Sequence, residues 1–421
     1  MEINIPIYIG SDAIDNLICY CHAHQLDQFT LVADHNTYAV LGQAVAQALT
    51  SHGLKVDTVV LNGQDIIADE HYCMQVLVRA DRSNRTYLAV GSGTITDITR
   101  FVSHRTKSDF ISIPTAPSVD GYTSPSASMV IARLKQTVIT QPPIAIFADL
   151  AKLCAAPRPM IAAGFGDMLG KYTSLADWKL GHLLWAEPYS ESVAQRVQRA
   201  LQGCVDHSTA IGQSAEDGVR GLMGGLLDSG LCMLEFGNSP PAAGAEHYVS
   251  HYLEMKLLWE NRPAILHGAK VGLATILVAK RYEQLRQLTR QQAIDRLKLS
   301  TLPDRTQEIQ RIRAVYGPIV DQVIEKQSPF LDMSADAYDQ LKRRINDHWP
   351  DIQAIAAAVP SAQALSDLMR EVGGPITPSA IGLSDEEVAL ALDCSHYFRN
   401  RFTVFKLNRI LGLSREETAH V

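Results

Sequence analysis

At 421 residues and 46% apolar content, the chain can bury a sizeable core and exceeds one typical domain, so two domains are expected. The net charge of −7 is modest and spread along the chain, without the like-charge runs that would suggest nucleic acid as a partner. No charged-then-apolar leader opens the sequence, and no apolar stretch approaches the roughly 18 residues of a membrane span, so a cytoplasmic chain is expected.

From residue 1 to about 148, short β-branched runs alternate with amphipathic segments, the pattern of a mostly parallel, Rossmann-like sheet with crossover helices. The strands read as INIPIYIG, FTLVADHN, VDTVVLN, TYLAVGSG and DFISIPT, with helices over 11–25, 37–52, 69–82 and 94–105. After Pro117, SMVIARLK and QTVITQ suggest a hairpin, and IAIFADL returns to the sheet. Beyond Leu150 apolar residues recur at helical spacing, as in YSESVAQRVQRALQGCVDHSTAIGQ and AYDQLKRRINDHWPDIQAIAAAV. The expectation is an α/β domain over 1–150, an all-α domain over 151–421, and an active site in the cleft between them. Seven dispersed cysteines lack zinc-site spacing and read as reduced, mostly buried thiols.

Three loops invite a ligand. In VGSGTITDITRF, Gly91 and Gly93 stand where a strand passes into a helix, with Thr94 in its first turn. That arrangement suits either a pyrophosphate on the helix N-terminus or an ordinary turn, and the third glycine of the G-x-G-x-x-G fingerprint is absent. The next strand ends in SIPTAPSVDGYTSPSAS, whose hydroxyls and single carboxylate, Asp120, fit either a nucleotide or a polar surface loop. Asp34, closing the second strand, is either a ribose acceptor or a helix cap.

The helical half carries a different chemistry. His247 and His251 lie one turn apart in GAEHYVSHYLE, His267 follows in ILHGAKVG, and Asp167 sits in the apolar, glycine-rich AAGFGDMLGKYTSLADW. A carboxylate there is expensive unless paired or bound to a cation, and one carboxylate with two or three imidazoles suits Zn²⁺, Ni²⁺ or Fe²⁺. Each histidine taken singly has an ordinary structural reading.

Together these segments resemble the glycerol-1-phosphate dehydrogenase branch, in its bacterial form, of the superfamily of iron-type alcohol dehydrogenases, glycerol dehydrogenase and dehydroquinate synthase. The resemblance runs in order from about residue 5 to 280, through DHNT, the two strand-end loops, AGFGDMLGKYTSLADW, GAEHYVSHYLE and LHGAKVG. It implies a metal on Asp167, His247 and His267. Asp120 and His251 would meet substrate, with Asp167 close by. Asp34, Gly91, Gly93, Thr94, Asp97, Thr115, Ser118 and Ser124 would hold NAD or NADP. Ser92, Pro117 and Ala269 depart from the family pattern, Ala269 replacing a frequent glutamate.

The implied reaction is reduction of a phosphorylated triose, dihydroxyacetone phosphate, to glycerol 1-phosphate, with Asp167 and His251 as catalytic candidates. The proton would come from His251 or a metal-bound water. Lys171 and Lys270 are candidates for the substrate phosphate, or else ordinary surface lysines. The alternatives are a glycerol-type polyol dehydrogenase or another sugar-phosphate reductase of the same superfamily and, from another class, a catalytically silent metal- or nucleotide-binding regulator. A homodimer is expected as the commonest assembly.

Overall fold

The computed structural model describes residues 5–63, 65–81 and 83–413, with the Leu134 side chain excepted, so the start of the first expected strand and the last eight residues lie outside it. Among the described residues there are eight strands: β1 Ile7–Gly10, β2 Gln28–Asp34, β3 Lys55–Leu61, β4 Thr86–Gly91, β5 Phe110–Pro114, β6 Ser126–Ile131, β7 Leu134–Ile139 and β8 Ala145–Asp149. Six form one sheet in the order β1-β8-β5-β4-β2-β3, parallel at every junction. Strands β4, β5 and β8 are buried along their whole length, which is why they read as near-continuous apolar runs.

Alternation along each strand sends successive side chains to opposite faces. Leu88 and Val90 of β4 join Phe29 and Leu31 under the helices Ala13–Ala23 and Gln43–Ser51, while Tyr87 and Ala89 face Ile95 and Ile98 of the helix Gly93–Arg105. The expected helix over 37–52 begins two residues earlier, at His35. Asp34 caps it, its Oδ1 accepting from the Thr37 amide at 2.7 Å while the Thr37 hydroxyl accepts from the Asp34 amide at 3.0 Å.

The hairpin differs from the expectation in detail. β6 and β7 pair antiparallel in a sheet of their own, and the turn falls inside SMVIARLK, at Ala132 and Arg133, and not at its end. Both residues have positive φ (50° and 62°), the conformation a two-residue hairpin turn requires.

β8 ends at Asp149, and every later element among the described residues is helical. The two long segments expected there are each broken once. The first becomes the helices Glu191–Asp206 and Ser208–Gly212, the second Ala335–Asp347 and Trp349–Ala358, where Pro350 occupies the first turn it tolerates. Ile146 and Ala148 of β8 and Tyr122 pack into the main core of the helical half, so the two halves share apolar contact.

Candidate metal centre

Parallel pairing aligns the carboxyl ends of β2, β4 and β5, with Gly91 opposite Pro114 and Val32 opposite Ala89. Asp34, the Gly91–Thr94 turn and the Thr115–Ser124 loop therefore open along one edge of the sheet, the edge where ligands bind in such sheets. Ser92 makes no side-chain cap to the helix Gly93–Arg105, which leaves its first amides to a ligand or solvent. Thr115, Ser118 and Ser124 are largely buried.

Asp97 does not stand alone. Its carboxylate accepts from Arg100 at 2.8 Å, and that buried guanidinium also holds the carbonyls of Gly121, Tyr122 and Ser126 at 2.7–3.0 Å. This guanidinium fastens the helix after β4 to the loop after β5. Sequence reasoning missed Arg100, although an arginine three residues after an aspartate, within a run of small and apolar residues, was a usable signal.

Three helices bring the metal candidates together. Asp167 lies near the end of Arg158–Leu169, His247 in the first turn of Ala245–Trp259, and His267 at the start of His267–Gln287. One ligand atom from each lies within 4.8 Å of the other two. The approach depends on glycine. A Cβ at Gly164 would sit 1.8 Å from the Pro117 carbonyl oxygen, and one at Gly268 would sit 1.8 Å from that of Ala163. The helix carrying Asp167 is thereby pressed against both the loop after β5 and the turn bearing His267.

The surrounding hydrogen bonds hold these candidates in place. Asp167 Oδ2 accepts from the Asp120 amide at 3.0 Å, and Oδ1 lies 3.4 Å from His247 Nε2. His247 Nδ1 is 2.8 Å from Glu246 Oε1, whose carboxylate also accepts from the Gly244 amide and the Thr173 hydroxyl, each at 2.6 Å. A carboxylate behind a ligating imidazole fixes its tautomer and orientation. Glu246, fully buried and bonded to His247, was passed over in the sequence reading, although its place directly before His247 was the signal.

Electrostatics separate the two candidate histidines. Burial alone would lower His247, but its hydrogen bonds to Asp167 and Glu246 outweigh that and push it up to about 9. Burial pushes His267 down to about 3, so it is neutral, and its buried Nδ1 has no hydrogen-bond partner among the described residues. Burial works against ionisation of Asp167, yet Lys171 and then His247 hold it well below the usual carboxylate range. One anionic oxygen, a neutral imidazole with an unpartnered nitrogen and a second imidazole fixed from behind form a donor set that fits a divalent ion.

The two lysines read as phosphate candidates are placed otherwise. Lys171 is fully buried, with Nζ 2.8 Å from Asp120 Oδ2 and 3.2 Å from both Asp167 Oδ1 and the Ala242 carbonyl. An ammonium has three protons, and all are committed, so Lys171 is neither a surface residue nor a free phosphate ligand. Lys270 is also buried, donating to the Ile265 carbonyl at 2.6 Å with Glu254 4.0 Å away. Asp120 accepts from Ser229 as well, at 2.9 Å. The ring of His251 stands 5.6 Å from that of His267 and 6.0 Å from that of His247, and burial holds it well below its ordinary pKa.

A family model described as iron-containing alcohol dehydrogenase matches residues 8–157. The chain is 37% identical to the glycerol-1-phosphate dehydrogenase, NAD(P)+-linked by name, of Geobacillus thermodenitrificans, over 94% of this chain and 90% of that one. It is 38% identical to the protein of the same name from Halalkalibacterium halodurans, over 97% and 93%. Among solved structures, a probable glycerol dehydrogenase from Sinorhizobium meliloti superposes with a TM-score of 0.61 at 17% identity, over 97% of this chain and 96% of that one, a likeness of fold.

Proposed function

We infer the reaction from one premise: the chain belongs to the glycerol-1-phosphate dehydrogenase family of the iron-containing alcohol dehydrogenases. It is an NAD(P)-dependent oxidoreductase that interconverts glycerol 1-phosphate and dihydroxyacetone phosphate, and NAD(P) and one divalent metal ion are its cofactors. The observation that carries the site is the convergence of an oxygen and two nitrogens from Asp167, His247 and His267 on one point. A divalent ion held there supplies Lewis-acid polarisation of the substrate oxygen, and the nicotinamide carries the hydride.

The remaining work falls to the chain's own groups. Lys171 fixes Asp120 and Asp167 and keeps Asp167 ionised, and Glu246 fixes His247. Asp120 and His251 contact the substrate. His251, neutral because it is buried, takes the proton of the C2 hydroxyl at a ring nitrogen during oxidation and returns it during reduction. Gly91, Gly93 and Thr94 receive the pyrophosphate at the open helix N-terminus, while Asp97, Thr115, Ser118 and Ser124 line the rest of the dinucleotide. Asp34 caps its helix through Oδ1 and meets the adenosine ribose through the other oxygen.

We place the boundary between a nucleotide domain and a helical metal domain at residue 150, where the last strand gives way to helices. No helix of the described residues is long and apolar enough to cross a membrane. Seven unpaired thiols favour the reducing cytoplasm, and a homodimer is the commonest assembly.

The test is NADH oxidation by metal-loaded protein offered dihydroxyacetone phosphate, with glycerol plus NAD⁺ in parallel. Turnover on the phosphate is expected; turnover on glycerol alone would sink the assignment. His267→Ala should lose both bound metal and activity, and an active, metal-free variant would overturn the site.

A further inference from the structure

A cavity of about 170 Å³ opens beside the candidate metal centre, between β7, the helix Val320–Leu331 and the segment after Tyr397. Its wall carries three cations, Lys135, Lys326 and Arg399, and no carboxylate. Thr137 and Gln322 add polar groups, and His251 closes the inner side. The His251 ring is 5.6 Å from that of His267, so one imidazole separates the cavity from the metal candidates.

The cations differ in how far they are already neutralised. Lys135 is paired with Glu254 at 2.5 Å. Arg399 donates to the Thr137 hydroxyl at 3.2 Å, and among the described residues neither Arg399 nor Lys326 forms an ion pair with a carboxylate. Two cations without an ion pair among the described residues, gathered beside a third in one concave space, suit an anion. A planar guanidinium and two ammonium groups match the several acceptor oxygens of a phosphate monoester better than a single hydroxyl or carbonyl.

We propose that this cavity is the subsite for the phosphate group of the substrate, with Lys326 and Arg399 as its principal ligands and Lys135 in support. The inference rests on the reaction assigned above: a substrate oxygen lies at the metal centre, and the phosphate, three bonds beyond the reacting carbon, lies past His251. Lys326 and Arg399 thereby set specificity for a phosphorylated over a free polyol, the part played in the sequence reading by Lys171 and Lys270.

The experiment compares wild type with Lys326→Ala and Arg399→Ala in the metal-loaded protein. Three quantities are measured: KM for dihydroxyacetone phosphate, the ratio of kcat/KM for that substrate over dihydroxyacetone, and competitive inhibition by inorganic phosphate. Each substitution should raise KM about tenfold or more, lower the ratio by a similar factor and weaken phosphate inhibition in parallel, since each removes a charge-assisted hydrogen bond. Arg399→Lys should recover part of the loss. If Arg399→Ala fails to fold, Lys326→Ala and Lys326→Glu decide, because Lys326 is exposed. A wild type that turns over the phosphate, with KM, ratio and phosphate inhibition unchanged in the folded variants, overturns the subsite and leaves the reaction standing. A wild type inactive on the phosphate but inhibited by phosphate on another substrate, with that inhibition lost in the variants, supports the anion site while the assigned reaction fails.

Discussion

Glu246 is not itself a metal candidate, yet its carboxylate holds His247 at Nδ1 and is itself held by Gly244 and Thr173. Replacing it by glutamine keeps the volume and removes the charge that orients the imidazole. Glu246→Gln should therefore weaken metal binding about 10- to 100-fold in a metal titration, with the fold intact; unchanged affinity would show that His247 needs no such support. Asp97 makes a pH-dependent prediction. Burial, opposed by Arg100, pushes its carboxyl up to about 6. A carboxyl raised on folding stabilises the fold most below its unfolded pKa, and that contribution is lost as pH rises through about 6. Between pH 5 and 7, nucleotide-free wild type should lose about 1 kcal/mol relative to Asp97→Asn in denaturation midpoints. A constant difference would mean that Asp97 titrates normally. Lys171 shows the limit of reading a residue by type: its sequence neighbourhood suits a surface or a site equally, and only its burial against two aspartates separates them.

At the scale of elements, the helix Arg158–Leu169 is the hinge of the site, because it touches the loop bearing Asp120 on one side and the turn bearing His267 on the other. Gly164→Ala would drive a methyl against the Pro117 carbonyl, and backbone must move to admit it. A loss of about 1–3 kcal/mol in stability is expected, with reduced activity. The control is Gly221→Ala in the helix Glu216–Phe236, where a Cβ meets nothing within 4 Å and stability should rise by about 0.5–1 kcal/mol. Equal effects at both positions would refute the close-approach argument. The elements themselves were largely legible: strand and helix periods named every strand of the main sheet. The misplaced hairpin turn has a local cause, since Ala132 and Arg133 adopt positive φ without the glycine or asparagine that normally announces it.

At the scale of the whole molecule, the three metal candidates tie the helix Arg158–Leu169 to two consecutive helices much later in the chain, all sharing one core. An ion bound only by the folded form adds stability, about 2.7 kcal/mol at one hundred times its dissociation constant. Chelator should lower the melting temperature and stoichiometric metal restore it; no shift on stripping a demonstrably metal-loaded protein would mean that the ion is held without coupling to the fold. The sequence by itself determined the fold class and the order of the loops, because strand and helix periodicity and glycine turns are short-range signals. It also singled out Asp167, His247 and His267, through a resemblance spread over several ordered motifs. Tertiary structure decided what depends on packing between distant segments. Lys171 and Lys270 are buried, Arg100 and Glu246 act as fasteners, and Lys135, Lys326 and Arg399 meet around one cavity. Burial and charge pairing belong to the assembled core, and no local pattern in the chain encodes which distant side chains will share a wall.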